Sequence, residues 1–137
     1  MGKIIASDTI TVNRSASDIF SFLSDFRNFS PLMPEQVRNW EATNDACSFE
    51  VSGLATLGMR ITDRQPNSKI LMLGEGKLPF GFTLCSLINQ ESDNSATVRL
   101  EMDTDMSAMI AMMAEKPLYS FINMLVIKLK EVMENPS

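Results

Sequence analysis

Histidine is absent from the 137 residues of this chain, which removes the side chain that most often moves protons near neutral pH. The groups left that could do chemistry are Asp63, Glu75, Arg60, Tyr119, Cys85 and Ser86. Their spacing pairs none of them. Arg60 and Asp63 fall on opposite faces of a strand-like run, and neither Ser86 nor Cys85 has a histidine to activate it. A buried carboxylate with a raised pKa could act as base in a cyclisation or dehydration, but no position is singled out. Glu101, Asp103 and Asp105 alternate and so share one strand face, ~6–7 Å apart. Three carboxylates could hold a divalent cation. Metal sites usually draw ligands from several elements with a supporting shell, so a solvated strand face is expected and no metal. Gly74 to Gly81, GEGKLPFG, resembles a phosphate loop in composition. It lacks Ser or Thr after the lysine and has strand patterns on both sides, so it reads as a hairpin turn. No cofactor is expected.

The other conspicuous set is apolar. There are 11 methionines and 8 phenylalanines. Methionine suits a lining that must accept varied apolar shapes. Phe26, Phe29, Met33, Trp40, Met59, Met72, Phe82, Leu84, Met102, Met106, Met113, Phe121 and Leu125 are the candidate ligand-binding residues. Phe49, Leu57 and Leu100 are further inward positions. Met109 to Met113 is the expected lid, with Phe29 to Pro34 as the opposite lip.

The positioning elements follow from periodicity. Pro117 to Glu134 places Leu118, Phe121, Ile122, Leu125, Val126, Leu129, Val132 and Met133 within one arc of roughly 140°. A helix of that length spans about 27 Å, matching a strand of about eight residues. It needs a sheet to lie on. Lys3 to Val12 ends in strand alternation, and Ser15 caps a short helix to about Asp25 with Asp18 in a capping-box position. Pro31 and Pro34 allow one short helical turn between them. Strand patterns then cover Val37–Thr43, Ala46–Val51, Ala55–Arg64, Lys69–Glu75, Phe80–Gln90 and Ala96–Met106, separated by turn signals. Ser107 to Lys116 reads as a short helix with a break before Pro117.

At this length one domain, 1–137, is expected. Net charge is -5 with no basic run, which argues against nucleic acid and anionic membrane surfaces. No apolar run approaches the ~18 residues that span a bilayer, so stable membrane insertion is not expected. The N-terminus lacks a signal-peptide apolar core. Cys47 and Cys85 read as buried free thiols. A cytoplasmic location is expected.

The order strand, two short helices, six strands and long helix resembles the START-like, or SRPBCC, superfamily of helix-grip proteins, which includes polyketide cyclase/dehydrase-like and lipid-transfer members. The resembling stretches are TITVNRSASDIFSFLSDFRNFSPLMP, VRNW, LEMDTDM and MIAMMAEKPLYSFINMLVIKLKE. The resemblance implies an α+β fold in which a curved seven-stranded antiparallel sheet grips the C-terminal helix around a cavity. Fold alone does not fix function. The first expectation is a module that binds or carries a small hydrophobic or amphipathic ligand such as a lipid, isoprenoid or polyketide. The second is a cyclase/dehydrase-type enzyme, which the missing histidine counts against. The third is a protein-interaction module. Ile127 and Met124 lie off the apolar arc of the helix, and their exposure would point to a homodimer.

Overall fold

Ser15 opens the first helix through its side chain: the Asp18 N–H donates to Ser15 Oγ at 3.1 Å. The computed structural model describes residues 3–33, 35, 37–51, 55–76 and 80–135. Only half of the capping box forms, because the Asp18 carboxylate turns to Arg14 at 3.1 Å instead of reaching back. The helix, α1, is Ala16–Leu23 and buries Ala16, Ile19 and Leu23. Two 3-10 turns follow, Phe26–Asn28 and Ser30–Leu32. The Asp25 side chain caps the first, and Pro31 stands at the start of the second.

Before α1 run β1 (Lys3–Ala6) and β2 (Ile10–Val12). After the 3-10 turns come β3 (Val37–Ala42), β4 (Ala46–Val51), β5 (Ala55–Gln65), β6 (Lys69–Gly76), β7 (Phe82–Ser92) and β8 (Ser95–Thr104). Every pairing is antiparallel, and the sheet order is β1-β8-β7-β6-β5-β4-β3, with β2 also on β8. The single opening strand expected over Lys3–Val12 is therefore broken in two, making eight strands in seven positions among the described residues. Ser7 bridges the break. Its N–H donates to the Leu100 carbonyl, and its hydroxyl accepts from the Leu100 N–H at 2.9 Å. A side-chain oxygen stands in for a ladder carbonyl, so the Leu100 amide keeps a partner across the break.

β7 and β8 alternate as their sequences require: Phe82, Leu84, Ser86 and Ile88, and Ala96, Val98, Leu100, Met102 and Thr104, are buried on one face. That face carries the C-terminal helix α2, Ala108–Glu134. Ile122, Leu125, Val126, Leu129 and Met133 are buried against the sheet. The polar flank of α2 is tied to the N-terminal segment. Lys3 pairs with Glu115 at 3.2 Å, Lys130 donates to the Thr11 carbonyl, and Arg14 donates to the Met133 carbonyl.

One expectation is corrected here. There is no break at Lys116: α2 is one helix from Ser107, whose Oγ accepts from the Ile110 N–H, with Pro117 inside it. Pro117 is exposed, so the carbonyl left without its usual amide partner can be met by water. By length and composition α2 is also apolar enough to cross a membrane, with an 18-residue stretch of mean hydropathy 1.3, a property that a core helix shares. The apolar residues run around the helix. One side packs on the sheet, while Met109, Met112 and Met113 stand 75, 87 and 77% exposed.

Candidate functional site

Between the sheet and α2 lies a cavity of about 10 Å³, lined by Leu23, Phe29, Leu32, Met72, Leu84, Ser86, Leu100, Leu125, Val126 and Leu129. Each layer of the fold contributes. Leu23 ends α1, Phe29 links the two 3-10 turns, Leu32 ends the second, and Met72, Leu84, Ser86 and Leu100 are neighbours across β6, β7 and β8. Leu125, Val126 and Leu129 are one face of α2. The volume matches a single water molecule. The roomy pocket expected from sequence is thus nearly closed, because leucines from α1, the second 3-10 turn and α2 fill the gap that a curved sheet over one helix would leave.

Four of the thirteen candidate residues line this cavity: Phe29, Met72, Leu84 and Leu125. Phe26, Met59, Phe82, Met102 and Met106 are buried without lining it. Phe82 lies flat over β6, where a Cβ on Gly74 would sit 2.3 Å from its ring, so a side chain at that position would drive the ring away. Met33, Trp40 and Phe121 are half-buried at the edge of the core. Met113 is not brought near the cavity. It sits twelve residues from Leu125, which rotates it about 120° around the helix, and it faces solvent. The segment expected as a lid, Met109 to Met113, belongs to the continuous helix. In the opposite lip, Pro34 lies outside the described residues.

Sequence reasoning missed Leu23 and Leu32 as lining residues, and it placed Val126 and Leu129 on the apolar arc of the helix without naming them as lining. The helical spacing of Ile19 and Leu23 was the available signal for the first. The others depend on how closely α2 approaches the sheet.

Trp40 reaches the core through a local device. In β3 the register shifts between Arg38 and Glu41, so Asn39 and Trp40 together oppose Phe49. Asn39 adopts φ 54°, the left-handed region that asparagine tolerates better than most residues. The extra residue restores inward parity for both Val37 and Trp40. The indole then stacks on Phe29 and tilts against Phe49, with centroids 6.4 and 5.4 Å apart, while Phe26 meets Phe29 edge-on at 5.1 Å.

The ionisable candidates stand elsewhere. Arg60 pairs with Glu75 at 3.3 Å on an exposed face, and Asp63 is exposed and accepts from Gln65. The Tyr119 hydroxyl donates to Asp8 at 3.3 Å. Among the acidic strand residues, Glu101 pairs with Arg99 at 2.9 Å and Asp105 accepts from the Gly81 N–H. Among the described residues no group of three His, Cys, Asp or Glu is placed to hold a metal. Cys47 and Cys85 are both free. Burial pushes the Cys47 thiol up to about 12. Cys85, expected buried, is only half so, because it faces the side of β7 opposite Leu84 and Ser86. At the Gly74–Gly81 turn, residues 77–79 lie outside the described residues, and the flanking strands β6 and β7 pair antiparallel.

Ser86 is the one lining residue with a polar side chain. It is wholly buried, and among the described residues its hydroxyl has no hydrogen-bond partner.

No family model matches the chain, and no curated protein matches it. Solved structures do. A START superfamily protein from Mycobacterium smegmatis superposes with a TM-score of 0.76 at 15% identity, covering 96% of this chain and 97% of that one. This chain has the START-like fold. Truncated norcoclaurine synthase from Thalictrum flavum gives the same TM-score of 0.76 at 13% identity, over 100% of this chain and 96% of that one. A conserved protein from Geobacillus kaustophilus reaches 0.73 at 13% identity, over 98% and 95%. Within the START-like fold, the curved sheet and its C-terminal helix are in the expected places, and the cavity lies in the grip between them.

Proposed function

We propose that this chain binds a small hydrophobic or amphipathic molecule, of lipid, isoprenoid or polyketide type, in the grip between the sheet and α2. The observation that carries this reading is the cavity at that place, lined by nine apolar side chains and one hydroxyl. Part of its wall is short, irregular helix. Phe29 caps both 3-10 turns and Leu32 ends the second, and the hydrogen bonds of such turns are poorer than those of an α-helix. Displacing those turns and turning the flexible Met72 side chain opens room without unpairing a strand. A ligand burying about 200 Å² of apolar surface gains about 5 kcal/mol at about 25 cal/mol per Å², against which the opening must be set. Norcoclaurine synthase supports the reading by analogy: a point mutant of that protein, 13% identical to this chain, is known in complex with a transition-state analogue.

The test is native mass spectrometry of protein purified from cells, with organic extraction of bound molecules. A reproducible co-purifying hydrophobe is the expected result. Consistently empty protein, together with no thermal shift across a panel of fatty alcohols, isoprenoids and aromatic polyketides, overturns the reading.

A further inference from the structure

Resting on the ligand-binding reading, we propose that Ser86 selects the ligand: the site takes a molecule whose inner end carries one neutral oxygen function, a hydroxyl, carbonyl or ether, and rejects carboxylates and amines there. Ser86 sits mid-sheet, with Ile70 and Leu100 as its cross-strand partners on β6 and β8. It shares the buried face of β7 with Leu84 and Ile88. A buried polar atom without a partner is uncommon in a folded protein and calls for a reason. Valine or alanine would fill this strand position with no unmet hydrogen bond. The backbone groups of the neighbouring strand positions are committed to the ladders on both sides, so the hydroxyl is the polar atom that a ligand can meet. It can donate one hydrogen bond and accept others, and no protein partner fixes its rotation.

The rest of the lining sets the charge preference. The other nine residues are Leu, Val, Phe and Met. A carboxylate or ammonium placed there would lose its hydration with no counter-charge to replace it, a far larger penalty than one serine hydroxyl can offset. An alkane, in turn, would leave the hydroxyl unmet. A neutral oxygen satisfies it.

The test uses four probes matched in size: toluene, benzyl alcohol, benzoate and benzylamine. Binding to the full chain at pH 7 is read from the fluorescence of Trp40, which stacks on the lining residue Phe29, and confirmed by calorimetry. Benzyl alcohol is expected to bind about three- to tenfold more tightly than toluene, the range of one net hydrogen bond, with no saturable binding of benzoate or benzylamine. In Ser86→Ala the alcohol should lose its preference to within about twofold, while toluene binds at least as well as before. An unchanged alcohol-to-toluene ratio in Ser86→Ala, or benzoate binding as tight as the alcohol, overturns the assignment of Ser86 and leaves ligand binding standing. Failure of all four probes, combined with protein that is empty by native mass spectrometry, overturns both. Ser86→Ala should melt no lower than the parent chain, so loss of the preference cannot be blamed on unfolding.

Discussion

Phe29 and Trp40 lie ring to ring, 3° from parallel with centroids 6.4 Å apart. The contact joins the wall of the cavity to an edge strand that could not present the indole inward without its bulge. Phe29→Ala should therefore cost about 3–5 kcal/mol and shift the emission of the single tryptophan to the red. The bulge can be tested apart from the stack. Asn39→Gly keeps access to φ 54° and should be nearly neutral. Asn39→Val should lose about 1–2 kcal/mol, since its exposed bond to Glu50 adds little. Equal urea midpoints for the valine and glycine variants would show that the left-handed residue is not needed.

Met102 and Met113 were equivalent as sequence candidates, and the structure separates them. Met102 is 5% exposed and stands between Leu84 and Ile5 across the sheet. Met102→Glu buries a carboxylate with nothing to pair it and should cost at least about 3 kcal/mol. Met113→Glu lies in solvent and should stay within about 0.5 kcal/mol of the parent. Denaturant melts followed by circular dichroism decide between these outcomes. A folded Met102→Glu protein of parental stability would mean that the β7–β8 core is far more open than this arrangement allows.

The sheet was legible because period-two alternation in β5, β7 and β8 is imposed directly by the pleat. The long helix was legible because its apolar arc must face that sheet. What escaped depends on single side chains replacing backbone partners. Ser7 carries the ladder across a broken strand, Asn39 absorbs an extra residue, and solvent exposure lets Pro117 continue a helix that proline usually ends. The closure of the cavity was not legible either. Whether Leu32 and Leu129 leave space for a ligand or for one water depends on the distance between α2 and the sheet, which no pattern of residue types encodes. Ser86 was visible as a possible chemical group with no histidine to activate it, and its missing partner emerged once its neighbours were in place.

The C-terminus of α2 should be acid-sensitive through Glu134. Its carboxylate accepts from Lys130 Nζ at 2.7 Å and from the Asn13 N–H at 2.8 Å. The lysine first and the amide second hold its pKa below the ordinary value of 4.5. A depressed folded-state pKa favours the folded chain fully above the ordinary value, and that contribution fades as pH falls through the lowered one. Glu134→Gln should accordingly narrow the gap from the parent as pH drops from 6 toward 3, by removing a term that only the parent loses. Urea midpoints at the two ends of that range measure it. A gap of constant size would mean that the contacts to Lys130 and Asn13 do not bias the protonation of this carboxylate.

The two thiols should differ in kind. Cys47 lies on the inner face of β4 opposite Met59, and burial lifts it to about 12, only slightly offset by a backbone hydrogen bond from Met59. At pH 8 about one molecule in ten thousand then carries the thiolate that reacts. Cys85 is also raised, first by burial, but Lys69 partly opposes the shift and the thiol is half-exposed on the outer face. A disulfide-exchange reagent should thus modify Cys85 in the native protein and reach Cys47 only as the sheet opens, with a rate that climbs in urea as the unfolded fraction climbs. Equal native rates at the two positions would require the β4–β5 region, beside Phe49 and Trp40, to expose its inner face as readily as β7 exposes its outer one.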